Sequence, residues 1–97
     1  MTKDQAKETI DQLGGQSRLN AMIGTKNFCY GNDGVGFMFK GSKIANCCKI
    51  NINSMDLYDI KFLKMGKNLK KIKEIKDVYS NQLINIFQQE TGLALHL

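Results

Sequence analysis

The sequence has no proline, no low-complexity tract and no internal repeat, so nothing in it marks a linker between domains. At 97 residues there is room for one hydrophobic core, since domains usually run about 50–200 residues. Residues 1–97 are therefore expected to form a single domain. No apolar run approaches the roughly 18–20 residues that span a bilayer. The segment from Met1 to Gln12 is charged and amphipathic, unlike the apolar stretch of a signal peptide. No membrane role is expected, and the cytoplasm is the expected location. Three cysteines make an odd number, and two of them, Cys47 and Cys48, are adjacent, where normal disulfide geometry is hard to reach. Reduced thiols in a reducing compartment follow.

Catalytic groups are equally scarce. The one histidine, His96, is next to last in the chain, whereas a Cys–His nucleophile needs both groups held within hydrogen-bond reach; a solvated side chain is expected. Neither CxxC nor HxxxH occurs, and thiols at adjacent strand positions point to opposite faces, so no metal and no cofactor is expected. Asp56 and Asp59 fall in a turn and on a strand face beside Lys61. They predict a solvated turn and a surface ion pair rather than a general acid and base, which would need a cleft to split their pKa values. Gly31, Gly34 and Gly36 precede neither a helix nor a Lys-Ser/Thr pair, so they suit a hairpin and not a phosphate cradle. The chain reads as a non-enzyme.

What is present is ordered apolar periodicity. Thr2 and Gln5 can form a capping box for a helix that places Ala6, Ile10 and Leu13 on one face, stopped by Gly14-Gly15. Ser17 is the expected cap of a second short helix carrying Leu19, Met22 and Ile23, which Gly24 ends. From Asn27 the period changes to two: Phe28 and Tyr30, then Val35, Phe37 and Phe39, joined through Gly31-Asn32-Asp33-Gly34. Two further strands follow, Cys48, Ile50 and Ile52 inward with Cys47, Lys49 and Asn51 outward, then Tyr58, Ile60 and Phe62 inward with Asp59, Lys61 and Leu63 outward. Asn53 to Asp56 is the turn between them. Cys48 is thus expected to be shielded and Cys47 more accessible. Tyr79, Leu83, Ile86, Phe87 and Glu90 give a last helix, capped by Asp77 or Ser80 and ended at Gly92. Leu69, Ile72, Ile75 and Val78 recur every third residue, which suits an earlier helix start near Asn68 or a loop and is poor for a strand. Leu93 to Leu97 can dock on the core.

The expected fold is α+β: a three- to four-stranded antiparallel sheet with an N-terminal helical segment and a C-terminal helix packed on one face. The expected core is Ile10, Leu13, Leu19, Phe28, Phe37, Phe39, Ile50, Ile52, Tyr58, Ile60, Phe62, Leu83, Ile86 and Phe87. Phe28, Tyr30, Phe37 and Phe39 could serve as stacking platforms for bases, but their alternation places them in the core first.

Net charge is +5, a balance that favours acidic partners. Every cation except Arg18 is lysine, while base-edge and bidentate phosphate readers rely on guanidinium. Lys61, Lys64, Lys67, Lys70, Lys73 and Lys76 recur every third residue with Lys71 added. This row is either a solvated face or a contact surface, with Lys61, Lys64, Lys70, Lys71 and Lys73 the candidates fixed by structure. Lys3 and Lys7 lie beside Asp4, Glu8 and Asp11, where helical pairing is expected to neutralise them.

The order helix, antiparallel strands, helix resembles the double-stranded RNA-binding domain. Lys70-Lys71 stands where that family places phosphate-contacting lysines near the start of its last helix, although Ile72-Lys73-Glu74 departs from its fuller basic motif. A resemblance over nearly the whole chain rests on Asp11-Gln12-Leu13-Gly14-Gly15, Lys26-Asn27-Phe28, Ala45-Asn46-x-x-Lys49-Ile50, Asp56-Leu57-Tyr58-Asp59-Ile60-Lys61-Phe62 and Thr91-Gly92-Leu93. These segments look like small proteins encoded in phages and prophages, a group that includes anti-CRISPR factors. That resemblance implies a binding protein in the cytoplasm of a bacterial host that occludes a host protein or nucleoprotein complex, with Asn27 and Asn46 as further contact candidates. A nucleic-acid-binding module is the alternative.

Overall fold

The Thr2 hydroxyl accepts the Gln5 N–H at 3.2 Å and the Gln5 side chain accepts the Thr2 N–H at 2.9 Å. This closes the capping box at the head of α1 (Lys3–Gln12). The computed structural model describes residues 2–32, 34–66 and 68–93. Helix α2 (Gln16–Ile23) follows after Gly14 and Gly15 and ends at Gly24 in the left-handed conformation. Its cap position is Gly15, with no side-chain hydrogen bond, so Ser17 does not cap it.

Five strands follow: β1 (Lys26–Gly31), β2 (Gly34–Met38), β3 (Cys47–Ile52), β4 (Tyr58–Lys64) and β5 (Lys70–Val78). Each pairs antiparallel with its sequence neighbour, giving one sheet in the order β1-β2-β3-β4-β5. Gly34 opens β2 at φ +111°, and a Cβ there would run into the backbone carbonyl of Ile50 on β3, so no other residue fits. Between β3 and β4 the Asn53 side chain accepts the N–H groups of Met55 and Leu57 at 2.9 and 3.2 Å. That is the turn chemistry expected of this segment.

The fifth strand corrects the expected sheet, and with it the reading of residues 68–78 as helix or loop. Tyr58 faces Val78 while Ile60 faces Ile75, and Phe62 faces Lys73 while Leu63 faces Lys71. The pairing therefore shifts twice, each time placing an extra residue on β5. Asp77, at φ +59°, lies in the first of these irregularities. The extra residue lets Val78 and Ile75, three apart, both lie opposite inward residues of β4. A three-residue apolar spacing that imitates a helix is thus produced by an irregular strand.

After β5 a 3-10 turn (Ser80–Gln82) leads into α3 (Leu83–Thr91), which ends at Gly92 with φ +76°. Neither Asp77 nor Ser80 caps α3; instead the Gln82 side chain accepts the Tyr79 N–H at 3.1 Å. The core lies between the three helices and one face of the sheet, joining Ala6, Ile10, Leu13, Leu19 and Ile23 to Val35, Phe37, Phe39, Cys48, Ile50, Ile60 and Phe62. Phe87 of α3 is central, with ring centroids 6.2, 5.1 and 5.9 Å from Phe37, Phe39 and Phe62. Phe28, Ile52 and Ile86, expected inside, are half-buried at its margin, as is Leu93. Residues 94–97, including His96, lie outside the described residues, as does Lys67.

The outward face departs from simple alternation. Cys47 and Leu63 face each other on β3 and β4 and are only 7% and 5% exposed. They lie outside the main core cluster. Cys47 is thus shielded as well as Cys48, because the strip it shares with Leu63 and Met38 is apolar.

Candidate partner-binding surface

Lysine on a strand keeps its ammonium in water while its stem lies along the sheet, so register decides which lysines share a surface. Lys64 and Lys70 face each other at the turn end of the β4–β5 hairpin, and Lys71 faces Leu63 one step farther from the turn. Two like charges in direct register concentrate positive potential there. Exposed Met65 and Leu69 flank the hairpin tip, with Leu69 59% exposed.

The remaining lysines divide between the two faces. Lys61 lies on the outward face between Lys49 and Glu74 and lines a shallow polar groove with Asn51 and Asp59. Lys71 Nζ lies 3.4 Å from Glu74 Oε1. Lys73 is opposite inward-facing Phe62, and its Nζ reaches Glu90 of α3 at 2.9 Å. Both pairs are largely exposed on the lysine side, so they bias side-chain positions more than they stabilise. Lys70 and Lys71 sit on β5, well before α3 begins. Their expected place at the start of the last helix is therefore corrected.

Asn46 belongs to the same end. Its Oδ1 accepts the Met65 N–H at 2.7 Å and its Nδ2 donates to the Met65 carbonyl at 2.9 Å, holding the base of the hairpin tip. Asn27 lies on the opposite edge, at φ +57° where the β1–β2 register shifts, with its Nδ2 3.4 Å from Met38 Sδ. A row of register partners, Lys26, Met38, Cys47, Leu63 and Lys71, crosses the sheet at this end. Asn27, Asn46, Lys64, Lys70 and Lys71 therefore share one end of the molecule, while Lys61 and Lys73 lie farther along their strands. The alternation Leu63-Lys64-Met65-Gly66 followed by Asn68-Leu69-Lys70 was the missed signal: turn residues between two lysine and apolar pairs mark a hairpin tip.

Other expectations resolve differently. Asp59 Oδ1 accepts the Asn53 Nδ2 at 3.0 Å and the Asp77 N–H at 3.1 Å, and Asp77 Oδ1 accepts the same Nδ2 at 2.8 Å. Asp59 therefore locks the β3–β4 turn to β5 and does not form the expected ion pair with Lys61. Phe37 and Phe39 are buried, so the open face has no stacking platform from them. Among the described residues no group of three or more His, Cys, Asp or Glu side chains could hold a metal, and no helix is long and apolar enough to cross a membrane. Burial pushes the Cys48 thiol well above its ordinary pKa, with Cys47 adding to the shift. Burial also raises the Cys47 thiol, opposed by the charge of Lys49. Both thiols are accordingly poor nucleophiles and metal ligands at neutral pH. No family model, no curated protein and no solved structure matches this chain.

Proposed function

We propose that the chain is a small, non-enzymatic binding protein of the phage and prophage type, which blocks a host defence complex by occupying its surface as anti-CRISPR factors do. The observation that carries the reading is the β4–β5 hairpin end. There Lys64, Lys70 and Lys71 stand beside exposed Met65 and Leu69, with Asn46 fixing the tip. Apolar side chains rimmed by one sign of charge suit an acidic protein surface, where the apolar contact supplies affinity and the charge supplies steering. The phage context rests on the sequence resemblance alone.

The alternative is a nucleic-acid module using the same lysines. Against it stand the single arginine of the chain and the burial of Phe37 and Phe39 on the packed face. Affinity capture at two salt concentrations, with and without nuclease, separates the two. Protein occlusion predicts a partner retained at moderate salt, indifferent to nuclease and lost on Lys70→Glu with Lys71→Glu. Binding that vanishes with nuclease, or that falls with salt at about −0.9 log units per phosphate contact, would replace occlusion with the nucleic-acid reading.

A further inference from the structure

The sheet has two edges, and they are built differently. β5 carries Lys70, Lys71, Lys73 and Lys76 and two register irregularities, devices that obstruct pairing with another strand. β1 has none of these between Phe28 and Gly31: the segment is uncharged, and Cys29, Tyr30 and Gly31 pair regularly with Gly36, Val35 and Gly34. Its irregularity is confined to the Lys26–Cys29 end. Beside it, a cleft of about 400 Å³ runs between α1 and the sheet, lined by Ala6, Ile10, Phe28, Tyr30 and Val35 with Lys7 and Asp11. Tyr30 is 54% exposed there.

We propose that β1 is a self-association edge, pairing antiparallel with β1 of a second copy about a two-fold axis at Cys29. In that register Phe28 lies opposite Tyr30 of the second copy, and Tyr30 opposite its Phe28. Two aromatic cross-strand pairs then close the open sides of both clefts. A two-fold contact needs a surface complementary to itself, and alternating aromatic residues about a small central one meet that need. Charge favours this occupant as well. Lysines are concentrated on β4 and β5, so joining two five-stranded sheets at β1 keeps the basic edges at opposite ends. The α1 rim carries both signs, with Lys3 and Lys7 among Asp4, Glu8 and Asp11, and a second α1 alongside meets no single-sign field. Lys26 falls opposite Asn32 of the second copy, without a like-charge clash.

Sedimentation equilibrium of the full chain tests this. The mass should rise from 10.9 kDa towards twice that value as concentration increases through the micromolar range. Tyr30→Lys, at an exposed position that the fold tolerates, should weaken the dimer at least about tenfold, whereas Leu69→Lys at the other edge should not. A short bismaleimide should cross-link the wild-type dimer through exposed Cys29, and Cys29→Ser should lose the cross-link while still associating. A chain that stays monomeric throughout would overturn the proposal and leave β1 open to a foreign strand. A dimer weakened by Leu69→Lys but not by Tyr30→Lys would also overturn it, in favour of contact through the hairpin tip.

Discussion

The two faces of the sheet are made from the same strands yet follow different rules. On the inward face Phe37, Phe39 and Phe62 meet Phe87 within 6.2 Å, and each position is fixed by what it touches. Outward, Lys49, Lys61 and Glu74 form one row across three strands and line a surface groove with no packed layer over it among the described residues. The packed face determines the fold, and the open face and its edges are free to carry recognition. Phe87→Ala should break that division most severely. Losing the central ring leaves a cavity among three others and should cost about 3–5 kcal/mol, read from urea denaturation, while Lys61→Ala should stay within about 0.5 kcal/mol. Similar costs for the two would mean that α3 is not anchored as described.

The thiols sharpen the comparison, because Cys47 and Cys48 are neighbours on opposite faces and both are buried. Cys48→Ser puts a hydroxyl among Phe37, Phe62 and their neighbours and should cost about 2 kcal/mol, with Cys47→Ser costing about half as much in its smaller apolar strip. Both thiols titrate above the ordinary range when folded. The unfolded chain gives up these protons first, so the stabilisation is complete below the usual thiol pKa of about 8.5 and is lost as pH rises through the folded value. Stability should be level near neutrality and then fall, by at most about 1.4 kcal/mol per pH unit for each thiol. Chemical denaturation across that alkaline range should show a shallower fall for Cys48→Ala. An unchanged slope would remove Cys48 as its source.

How far the sequence could be read follows the same division. The inward face was legible because two-residue alternation in Cys48, Ile50 and Ile52, and in Tyr58, Ile60 and Phe62, states directly which side chains share a layer. The ends of the helices were legible where a side chain or a left-handed glycine does the capping, as at Thr2, Gly24 and Gly92. β5 was not, because its register shifts convert a period of two into an apparent three, and only the partner strand supplies the reason for Asp77 at φ +59°. The outward burial of Cys47 and Leu63 was hidden for a related reason: it depends on Met38, Cys47 and Leu63 falling into one row, which no single strand reveals. The lysine row read as one feature, but register and Glu90 divide it between the two faces.

Asn46 links the packed region to the proposed contact end, and its removal should have a smaller effect. Asn46→Ala leaves the Met65 N–H and carbonyl without their side-chain partners. At an exposed site water replaces most of that bonding, so the expected loss is about 1 kcal/mol. Faster hydrogen exchange should be local to the Met65 amide and its neighbours, with Ile50 and Ile60 unaffected. Uniform acceleration across the sheet would show that Asn46 supports the whole fold and not only the hairpin tip.

The smallest effect on stability should accompany a large effect on recognition. Lys70 and Lys71 are exposed on β5, and the one ion pair they make among the described residues, Lys71 with Glu74 at 3.4 Å, is largely exposed on the lysine side. Reversing both to Glu should therefore move stability by no more than about 0.5 kcal/mol per site. The relief of the Lys64–Lys70 opposition offsets part of any loss. Binding to an acidic partner should fall sharply, because charge reversal turns attraction into repulsion at the centre of the hairpin end. Lys3 and Lys7 form the control. They lie on α1 among Asp4, Glu8 and Asp11, and although no ion pair closes on them among the described residues, the neighbouring carboxylates leave little net field. Reversing them changes net charge by the same amount, so equal loss from both pairs in a titration against the partner would mean that overall charge carries the interaction. Loss from neither would remove the hairpin end as the contact and leave the opposite edge, with Asn27 and exposed Tyr30, as the surface to examine.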